Sequence, residues 1–588
     1  MKRILIPVLL LLLFCFNSNA QDTWRLKVAP NVLNIHNSNN NLDLLVEFSA
    51  KADLTEAKFI QGKHQKARFV FDALNNTAQI SQKNLIQWSL LHHFKHQSFY
   101  IVNAMRIQMP ASFLPELAAM NEIKYISNNG VLTYTKPVEE YFNNQRGPSS
   151  IEWGIDMINA NDVWALGYKG EGVVVGGEDT GYDWQHPALQ SNYRGWDGTN
   201  ADHNYNWHDA IHELSPLNGD TTSNPANNPC GIDIKEPCDD VNHGTHTMGT
   251  MIGYTPGDTI GVAPAAKWIG VRNMERGWGK PSTYIEGFEW FMAPTDLDNL
   301  NPDPDKSPDV INNSWGCPPK EGCDISNFHI MHDVVANLKA SGVVVVVSAG
   351  NSGSNCETVS DPAAMFEESF SVGATRSNDT IANFSSRGAV SIDSSFRLKP
   401  NVSAPGVSVR SSIPGGGYAS FSGTSMAGPH VVGAVALILC AAPELKGSVD
   451  IIENILEQTA VPKTSDQDCN GVLGTSVPNN TYGYGRIDVL KAVEMALQTV
   501  STQNQANNYA VKVFPNPVKD VLYISVPKYS GEVQIEIYDA IGKIIYKKLD
   551  KVSDGSLINC QLGNSTSGMF FYKIVGENLQ LTGKFLKI

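Results

Sequence analysis

The sequence predicts an α/β protein whose largest domain is a parallel sheet with helices on both faces. The 588 residues exceed what a single hydrophobic core usually organises, about 250–300 residues, so several domains are expected. Continuous apolar, β-branched runs recur between residues 150 and 500, as is typical of buried parallel strands; they are 173–175, 268–271, 310–311 and 343–347. Helical periodicity lies between these runs, over residues 282–292, 327–340 and 430–440.

A small α+β domain is predicted ahead of the large one, over residues 21–145. Apolar periodicity predicts a strand, a helix, a strand, a helix and a strand in this order: 42–48, 63–94, 98–107, 110–120 and 123–126. Three histidines cluster here, His92, His93 and His96. Because no acidic or cysteine partner accompanies them, we interpret them as a solvated helix end and not as a metal site.

The character of the chain changes again near its C-terminal end. Residues 501–508 are polar and without periodicity, which predicts a linker. Residues 509–588 then show alternating strands separated by Gly or Pro, at 521–526, 533–538, 544–546 and 570–575. This pattern predicts a small β-sandwich.

The N-terminus predicts a signal peptide over residues 1–20, and therefore an exported protein. Lys2 and Arg3 precede an apolar run at 4–16 that is too short to cross a bilayer, and a Ser-Asn-Ala sequence ending at Ala20 offers a cleavage site. A membrane anchor is the alternative. The formal net charge of -15 argues against a nucleic-acid binder, which usually carries a basic stripe.

Eight cysteines follow the signal peptide, and close pairs in an exported chain predict disulfides. Cys230 with Cys238 and Cys317 with Cys323 would close short loops, so these are the predicted pairs. The pairing of the others is open; they are Cys356, Cys440, Cys469 and Cys560. No spacing resembles a zinc site.

Three motifs supply the groups that a hydroxyl nucleophile needs. Asp179 begins an Asp-Thr-Gly sequence at the carboxyl end of a predicted strand, and His243 begins His-Gly-Thr-His. Ser425 lies in Gly-Thr-Ser-Met-Ala ahead of an apolar helix, whose N-terminus favours a developing anion. An imidazole can take the serine proton while a carboxylate orients the imidazole. We therefore predict Asp179, His243 and Ser425 as the catalytic residues.

Two other histidines and one neighbour of the serine bear on this interpretation. His246 and His430 are interpreted as structural residues. Ala427 stands where a G-x-S-x-G nucleophile motif would have its second glycine, which weakens a lipase or esterase interpretation.

In this order, Asp, His and Ser, the motifs resemble those of the subtilisin-like serine peptidases of the S8 family. Residues 150–495 are most similar to its bacillopeptidase F-like members, on the segments 151–156, 162–168 and 312–316 and on Gly428. The resemblance implies a subtilisin-like peptidase domain over 150–500, with Asn351 as the oxyanion-hole donor. It also implies substrate-binding residues along two edges of the cleft: Ser314, Trp315, Gly316, Ser348, Ala349 and Gly350. The small residues that line the first specificity pocket predict a pocket without sharp selectivity. Because no acidic residue is evident at the base of this pocket, we do not predict a preference for basic substrate residues.

The two outer regions carry resemblances of their own. By position and length, residues 21–145 resemble the propeptide of such enzymes, which assists folding and blocks the cleft; an unrelated adhesion domain is the alternative. Residues 509–588 resemble the C-terminal sorting domain of the type IX secretion system, on Val-Phe-Pro-Asn-Pro at 513–517 and Gly-Met-Phe-Phe-Tyr-Lys-Ile at 568–574. A carbohydrate-binding sandwich is the alternative there.

We therefore expect a secreted or cell-surface serine endopeptidase that works through an acyl-enzyme. The alternative is a catalytically inactive surface protein with a peptide-binding cleft. Expected partners are protein or peptide substrates, the chain's own propeptide and the secretion machinery, with no nucleic acid, and we expect a monomer. No cofactor is expected for the chemistry. By resemblance, a structural calcium ion is expected. Acidic residues that could supply oxygen ligands are Asp197, Asp202, Asp233, Asp239 and Asp240. The alternative is that these residues form an acidic solvated loop.

Overall fold

The computed structural model describes residues 23–36, 41–130, 132–133, 138–140, 150–215, 218–219, 228–316, 327–508, 511–526, 529–563, 565–577 and 579–588. The predicted signal peptide and the predicted pair Cys317 and Cys323 lie outside these residues. The described chain divides into two compact units, residues 1–494 and 495–588, and each is treated by itself below.

The N-terminal region, residues 23–130, is an α+β domain with a four-stranded antiparallel sheet in the order β2-β3-β1-β4. Its strands are β1 (Asn41–Phe48), β2 (Lys95–Phe99), β3 (Ala104–Pro110) and β4 (Ile123–Asn128). Its helices are α1 (Pro30–His36), α2 (Lys63–Ser81), α3 (Lys83–Leu91) and α4 (Leu114–Ala119). Alternate residues of β1, such as Leu44 and Val46, are fully buried in a core of their own.

One predicted strand of this region is wrong. The stretch 98–107 is not one strand but the hairpin of β2 and β3, turned by residues between Phe99 and Ala104. The turn contains no Gly or Pro to mark it in the sequence; instead Asn103 takes the left-handed conformation with φ 47°, which asparagine tolerates better than most residues.

Three short strands connect this region to the next: β5 (Leu132–Thr133), β6 (Val138–Glu140) and β7 (Ser150–Ile151). Each pairs with a strand of the large domain. β5 pairs antiparallel with β13, β6 antiparallel with β19, and β7 parallel with β11, all three defined below.

The large domain has a seven-stranded sheet in the order β17-β16-β15-β14-β8-β12-β9, and every neighbouring pair is parallel. The sheet strands are β8 (Val174–Asp179), β9 (Trp207–Asp209), β12 (Lys267–Arg272), β14 (Val310–Asn313), β15 (Val344–Ser348), β16 (Phe370–Thr375) and β17 (Val402–Pro405). Shorter strands outside it are β10 (Tyr254–Thr255), β11 (Asp258–Thr259), β13 (Trp278–Gly279), β18 (Val409–Ile413) and β19 (Gly417–Ser422). The predicted parallel sheet is thus present, and all of β15 is buried, as its run of valines predicts.

The helices of this domain are α5 (Trp153–Met157), α6 (Ala160–Ala165), α7 (His243–Ile252), α8 (Pro281–Met292), α9 (Phe328–Ala340), α10 (Thr424–Ala441), α11 (Val449–Thr459) and α12 (Val489–Asn508). Helix α10 packs against α7 and against β14 to β17. Among the described residues it alone is long and apolar enough by composition to cross a membrane, but 89% of that window is buried inside the protein. A helix that is apolar on all sides is accordingly a core helix here.

Two boundaries differ from the sequence predictions. Helix α10 begins at Thr424 and not at residue 430, so Ser425 lies in its first turn. The predicted linker at 501–508 is wrong, because α12 continues to Asn508. No Gly or Pro interrupts residues 489–508, and polar residues such as Gln cost little in a helix.

The C-terminal unit contains two antiparallel sheets, in the orders β20-β21-β24 and β23-β22-β25-β26. The strands are β20 (Lys512–Phe514), β21 (Val521–Ser525), β22 (Gly531–Tyr538), β23 (Ile544–Val552), β24 (Leu557–Gln561), β25 (Gly568–Gly576) and β26 (Leu579–Lys587). Inward residues of both sheets, including Ile524, Ile535 and Phe570, share one buried core. This is the predicted small sandwich, with three strands that the prediction missed: β20, β24 and β26.

Two disulfides lie in the described residues. Cys230–Cys238 is the predicted pair, and Cys356–Cys469 joins two cysteines whose pairing the sequence left open. Cys440 and Cys560 are free thiols.

Candidate active site

Asp179 is the last residue of β8, at the carboxyl edge of the parallel sheet, where α/β proteins usually bind ligands. Its side chain is buried, and Oδ1 lies 2.7 Å from Nδ1 of His243. The backbone N–H of Thr180 also donates to Oδ1, at 2.8 Å. The carboxylate is therefore held in place, and it fixes which imidazole nitrogen faces it.

His243 is the first residue of α7 and is buried beside Asp179. The turn before it is organised by Asp239, which accepts hydrogen bonds from the backbone N–H groups of Val241, Asn242 and Thr245 at 2.9–3.1 Å. Asp239 also accepts from the Thr180 hydroxyl at 2.8 Å. One half-buried aspartate thus ties the Asp-Thr-Gly segment to the start of α7. No motif in the sequence indicates this role of Asp239, for which the acidic composition of its loop predicts only a calcium ligand.

Two glycines allow these segments to approach each other. A Cβ atom at Gly181, where φ is 114°, would lie 1.7 Å from the carbonyl oxygen of Cys238. A Cβ at Gly244 would lie 2.0 Å from the carbonyl oxygen of Gly181. Both distances are far inside van der Waals contact, so the glycines of the two motifs are required by the close contact of the backbones.

Ser425 is the second residue of α10 and is buried. Its carbonyl oxygen accepts a hydrogen bond from the Ser314 hydroxyl at 3.3 Å, and its own Oγ has no hydrogen-bond partner among the described residues. Helix α10 packs against α7, which begins with His243. The first-turn N–H groups of α10 lack intrahelical partners, so the hydroxyl lies at the positive end of a long helix.

Asn351 lies in the loop after β15. Its Oδ1 accepts from the backbone N–H of Thr424 at 2.9 Å and from the Thr424 hydroxyl at 2.8 Å. Because both of these groups donate to the amide oxygen, the other end of the amide is its NH2 group, which can donate to a ligand. These bonds hold Asn351, the predicted oxyanion-hole donor, at the N-terminal end of α10, next to Ser425.

The six predicted substrate-binding residues follow the carboxyl ends of β14 and β15. The Ser348 hydroxyl donates to the Ser314 oxygen at 3.3 Å, which joins the two edges beneath the nucleophile. Gly350 has φ 100° and donates its N–H to the Thr424 hydroxyl at 3.2 Å. Ala349 is buried, and its N–H bonds to Val372.

Trp315 differs from what its place among these residues suggests. Its side chain is only 3% exposed, and the indole Nε1 donates to the Glu178 carboxyl at 3.1 Å. The Trp315 ring also packs on Tyr284, with centroids 4.0 Å apart. Trp315 and Gly316 can therefore offer a peptide their backbone, but the indole faces the interior.

The competing histidines are interior residues. Nε2 of His246 faces the carbonyl oxygens of Val409 and Ala419 at 3.0 and 3.2 Å, and burial lowers the pKa of this imidazole to about 3. Nδ1 of His430 faces the Met426 carbonyl at 2.8 Å, and burial lowers its pKa to about 4. Both imidazoles stay neutral at working pH, as expected of structural histidines.

No group of three or more His, Cys, Asp or Glu side chains that could hold a metal ion occurs in the described residues. Aspartates considered as calcium ligands have protein partners instead: Asp240 lies 2.6 Å from Arg272, and Asp233 lies 2.5 Å from His212. Asp197 and Asp202 accept hydrogen bonds from the N–H groups of Thr199 and Asn204 in their own turns. A structural calcium ion stays a prediction.

The connecting strands approach this site from both sides. β13, the partner of β5, follows β12, whose neighbour β8 carries Asp179. β19, the partner of β6, ends at Ser422, three residues before Ser425. The chain that leaves the N-terminal region is therefore hydrogen-bonded to strands on either side of the predicted catalytic residues.

Comparison with known proteins gives two family matches. The model of the subtilase family matches residues 170–485, and that of the secretion system C-terminal sorting domain matches residues 512–588. Both resemblances predicted from the motifs, and the predicted fold class, are confirmed by these matches. The sorting-domain match also agrees with the predicted location, secreted or at the cell surface.

Curated relatives cover the chain to different extents. Bacillopeptidase F of Bacillus subtilis is 35% identical over 474 residues, which is 76% of this chain but only 30% of that protein. Subtilisin E of Bacillus subtilis is 29% identical over 75% of this chain and 91% of its own length. Subtilisin DY of Bacillus licheniformis is 34% identical over 53% of this chain and 92% of its own length.

Proposed function

The chain belongs to the subtilase family of peptidases, and on that premise we propose that it is a secreted serine endopeptidase. Ser425 is the nucleophile, His243 the general base and Asp179 the carboxylate that orients the base. The observation that carries this proposal is the 2.7 Å contact between Asp179 Oδ1 and His243 Nδ1 at the carboxyl edge of the sheet. That contact leaves the other imidazole nitrogen to serve a hydroxyl at the start of α10.

The reaction follows from these roles. The Ser425 hydroxyl attacks the peptide carbonyl carbon as the His243 imidazole takes its proton, and Asp179 stabilises the imidazolium. The proton then passes to the leaving amine, which departs and leaves an acyl-enzyme on Ser425. Water hydrolyses the ester through the same base. The oxyanion is met by the Asn351 amide and the N-terminal end of α10, and one such donor typically lowers the barrier by about 2.7–4 kcal/mol.

We propose that the substrate is an extended protein or peptide segment. Such a segment would add a strand to the edges at residues 314–316 and 348–350, with affinity from backbone hydrogen bonds. The pairing of β5 with β13 and of β6 with β19 supports this mode of binding, since two pieces of the chain's own backbone already bind as added strands to segments near the site.

The same pairing supports the N-terminal region as a propeptide. In the uncut chain β5 and β6 are hydrogen-bonded to β13 and β19, which neighbour the segments that carry Asp179 and Ser425, so the region would act as an inhibitor of its own enzyme by obstructing the site. Cutting between residues 142 and 150 would release both strands. Ile151, just beyond, would stay with the enzyme through the pairing of β7 with β11.

The test is Ser425→Ala in the full chain. We expect no hydrolysis of denatured protein and no self-cleavage, so that intact mass shows the N-terminal region still attached, whereas the wild type is cut between residues 142 and 150. Asp179→Asn should lower kcat by about 10⁴-fold, because the imidazole is no longer held in the required tautomer.

Ser377→Ala, at an exposed serine, is the matched control and should behave as the wild type. Full activity in the Ser425→Ala chain would overturn the assignment. An inactive wild type with a cleft that still binds peptides would favour a surface protein without catalysis.

A further inference from the structure

Glu178 precedes Asp179 on β8 and is fully buried. Successive side chains of a strand point to opposite faces of the sheet, so Glu178 points away from the face that carries Asp179. Its Oε1 accepts from the Trp315 indole N–H at 3.1 Å, and its Oε2 has no hydrogen-bond partner among the described residues. The reaction as proposed makes no use of this carboxyl.

The surroundings of Glu178 disfavour the charged form of its carboxyl. Oε2 faces α8 at Gly287, where a Cβ atom would lie 2.3 Å from this oxygen. Burial raises the pKa of Glu178 well above its ordinary value; the indole N–H opposes that effect and the neighbouring Asp179 charge adds to it. No ion pair of Glu178 occurs within the described part of the chain. Burial and the Asp179 charge therefore both favour the uncharged form of Glu178, which avoids a second negative charge beside the Asp179 carboxylate.

The indole connects this carboxyl to the substrate edge. Trp315 is the middle residue of the predicted edge 314–316. Its indole N–H donates to Glu178 at 3.1 Å and to Asn313 at 3.3 Å, and its ring packs on Tyr284. The preceding residue, Ser314, donates to the carbonyl oxygen of Ser425 at 3.3 Å. The edge is therefore tied at one residue to the nucleophile and at the next to β8.

We propose that Glu178 is a positioning residue for peptide binding, which holds the edge 314–316 at a fixed distance from Ser425 through the Trp315 indole. The inference rests on the proposed peptidase function and deepens it. Of the two acceptors of this buried indole N–H, Glu178 on β8 is the nearer at 3.1 Å, and Asn313 lies at 3.3 Å two positions before Trp315 on the same edge. Without the carboxyl the indole keeps only the longer bond to its own edge, so the ring and its backbone are no longer tied to β8. Backbone pairing with a substrate strand tolerates errors of only about 0.5 Å.

The consequence is a defect that depends on substrate length. A tetrapeptide amide pairs with the edge, whereas an acetylated single-residue ester reaches Ser425 without it. In Glu178→Leu we expect kcat/KM to fall at least about tenfold more for the tetrapeptide than for the ester, mostly through KM, since a tenfold effect corresponds to about 1.4 kcal/mol of lost binding. A general loss of folded enzyme would lower both equally.

Conservative and partner variants complete the test. Glu178→Gln keeps an amide oxygen that can accept from the indole, so it should restore the tetrapeptide KM to within about twofold of wild type. Trp315→Phe removes the N–H but keeps an aromatic ring, and it should reproduce the Glu178→Leu defect; combining the two changes should add little. Glu444→Leu, at an exposed carboxylate, is the control for the loss of an acidic group. Titration of Ser425 with a fluorophosphonate gives the concentration of folded enzyme for each variant.

The outcomes separate the two proposals. A wild type that cleaves neither substrate would overturn the peptidase function and the inference with it. An active wild type whose Glu178→Leu and Trp315→Phe variants lose tetrapeptide and ester activity equally, or lose neither, would overturn the positioning role alone. If Glu178→Leu does not fold, Trp315→Phe and Glu178→Gln still decide. The positioning role requires a length-dependent defect in Trp315→Phe and no such defect in Glu178→Gln.

Discussion

The N-terminal and C-terminal regions both contain a four-stranded antiparallel sheet, yet they use their polar groups differently. In the N-terminal region, Lys63 donates to the carbonyl oxygen of Ser307 at 2.8 Å and to Asp309 at 3.1 Å in the large domain, where it is only 8% exposed. The turn of its β2–β3 hairpin donates two backbone N–H groups to Glu289 of α8. The C-terminal region packs apolar residues from its two sheets into one core, whereas the N-terminal region has its own core and these polar contacts to the large domain besides.

The contacts of the two regions suit them to different roles. The N-terminal region also shares a buried apolar cluster with the large domain, through residues such as Val70, Ile101 and Phe288. Its buried charged and polar contacts add a dependence on each group being present and in the right protonation state, which suits an attachment that is reversed once the chain is cut. A module with its own apolar core keeps its fold wherever it is attached. The first arrangement suits an inhibitor that must leave, and the second suits an export signal that must be recognised by itself.

Removing the buried lysine should break the first arrangement. Lys63→Met, made in the uncut Ser425→Ala chain, leaves Asp309 with Lys446 and the Val174 N–H as remaining partners at 3.0 Å each. Loss of one member of a buried ion pair costs about 3–5 kcal/mol. We expect a clear fall in the melting temperature of the N-terminal region, as measured by scanning calorimetry.

Lys83→Met is the matched control, because Lys83 lies in the same region and is exposed. Equal melting temperatures for the two variants would show that the Lys63 contact contributes nothing to attachment, which would then rest on the shared apolar cluster, the Glu289 hydrogen bonds and strand pairing.

A smaller effect should come from pH. Burial raises the pKa of Glu289 to about 8, although the N–H groups of Tyr100 and Ile101 donate to it and oppose the rise. A carboxyl whose pKa is raised in the assembled protein stabilises the assembly. This contribution is fully present at pH values below the ordinary pKa of 4.5, and it is lost as the pH rises through about 8. Attachment of the N-terminal region should therefore weaken between neutral and mildly alkaline pH.

The measurement is the melting temperature of the uncut Ser425→Ala chain from about pH 6 to 9. Glu289→Gln should flatten this dependence, whereas Glu56→Gln, at an exposed carboxylate, should leave it unchanged. At acid pH the opposite sign applies to Asp309: although burial alone would raise its pKa, Lys63 and Lys446 keep it below the ordinary value. An alkaline slope that survives in Glu289→Gln would assign the dependence to another group.

Sequence reasoning succeeded where a feature is local. The valine run of β15 predicts a buried strand by itself, and each catalytic motif combines its reactive residue with the glycines that its own backbone requires. The hairpin at Asn103 and the continuation of α12 were missed because neither is marked by Gly or Pro.

The residues around the site that were missed act over long separations in the chain. Glu178 meets Trp315 across 137 positions, and Asp239 meets Thr180 across 59. Neither partner is indicated by periodicity or by a motif, since only the folded sheet brings them together. The buried orientation of the Trp315 indole was missed for the same reason: a tryptophan in a substrate-edge motif does not reveal which way its ring turns.

The smallest effect on the enzyme is expected from removing the C-terminal region altogether. Deleting residues 511–588 leaves α12 complete and removes the segment that matches the sorting domain. No predicted catalytic or substrate-binding residue lies in it, and its core is formed by its own strands. We therefore expect kcat/KM on a tetrapeptide amide to stay within about twofold of the full-length enzyme, a difference below about 0.5 kcal/mol.

In the native host, however, the truncated protein should accumulate in the periplasm, as immunoblots of periplasm, cell surface and medium would show. The matched control is a full-length chain with Ile541→Ser, which changes an exposed loop residue of the same region and should be exported. If the truncated enzyme reaches the surface or the medium at normal yield, residues 511–588 do not carry the export signal, and a binding role for this sandwich becomes the better account.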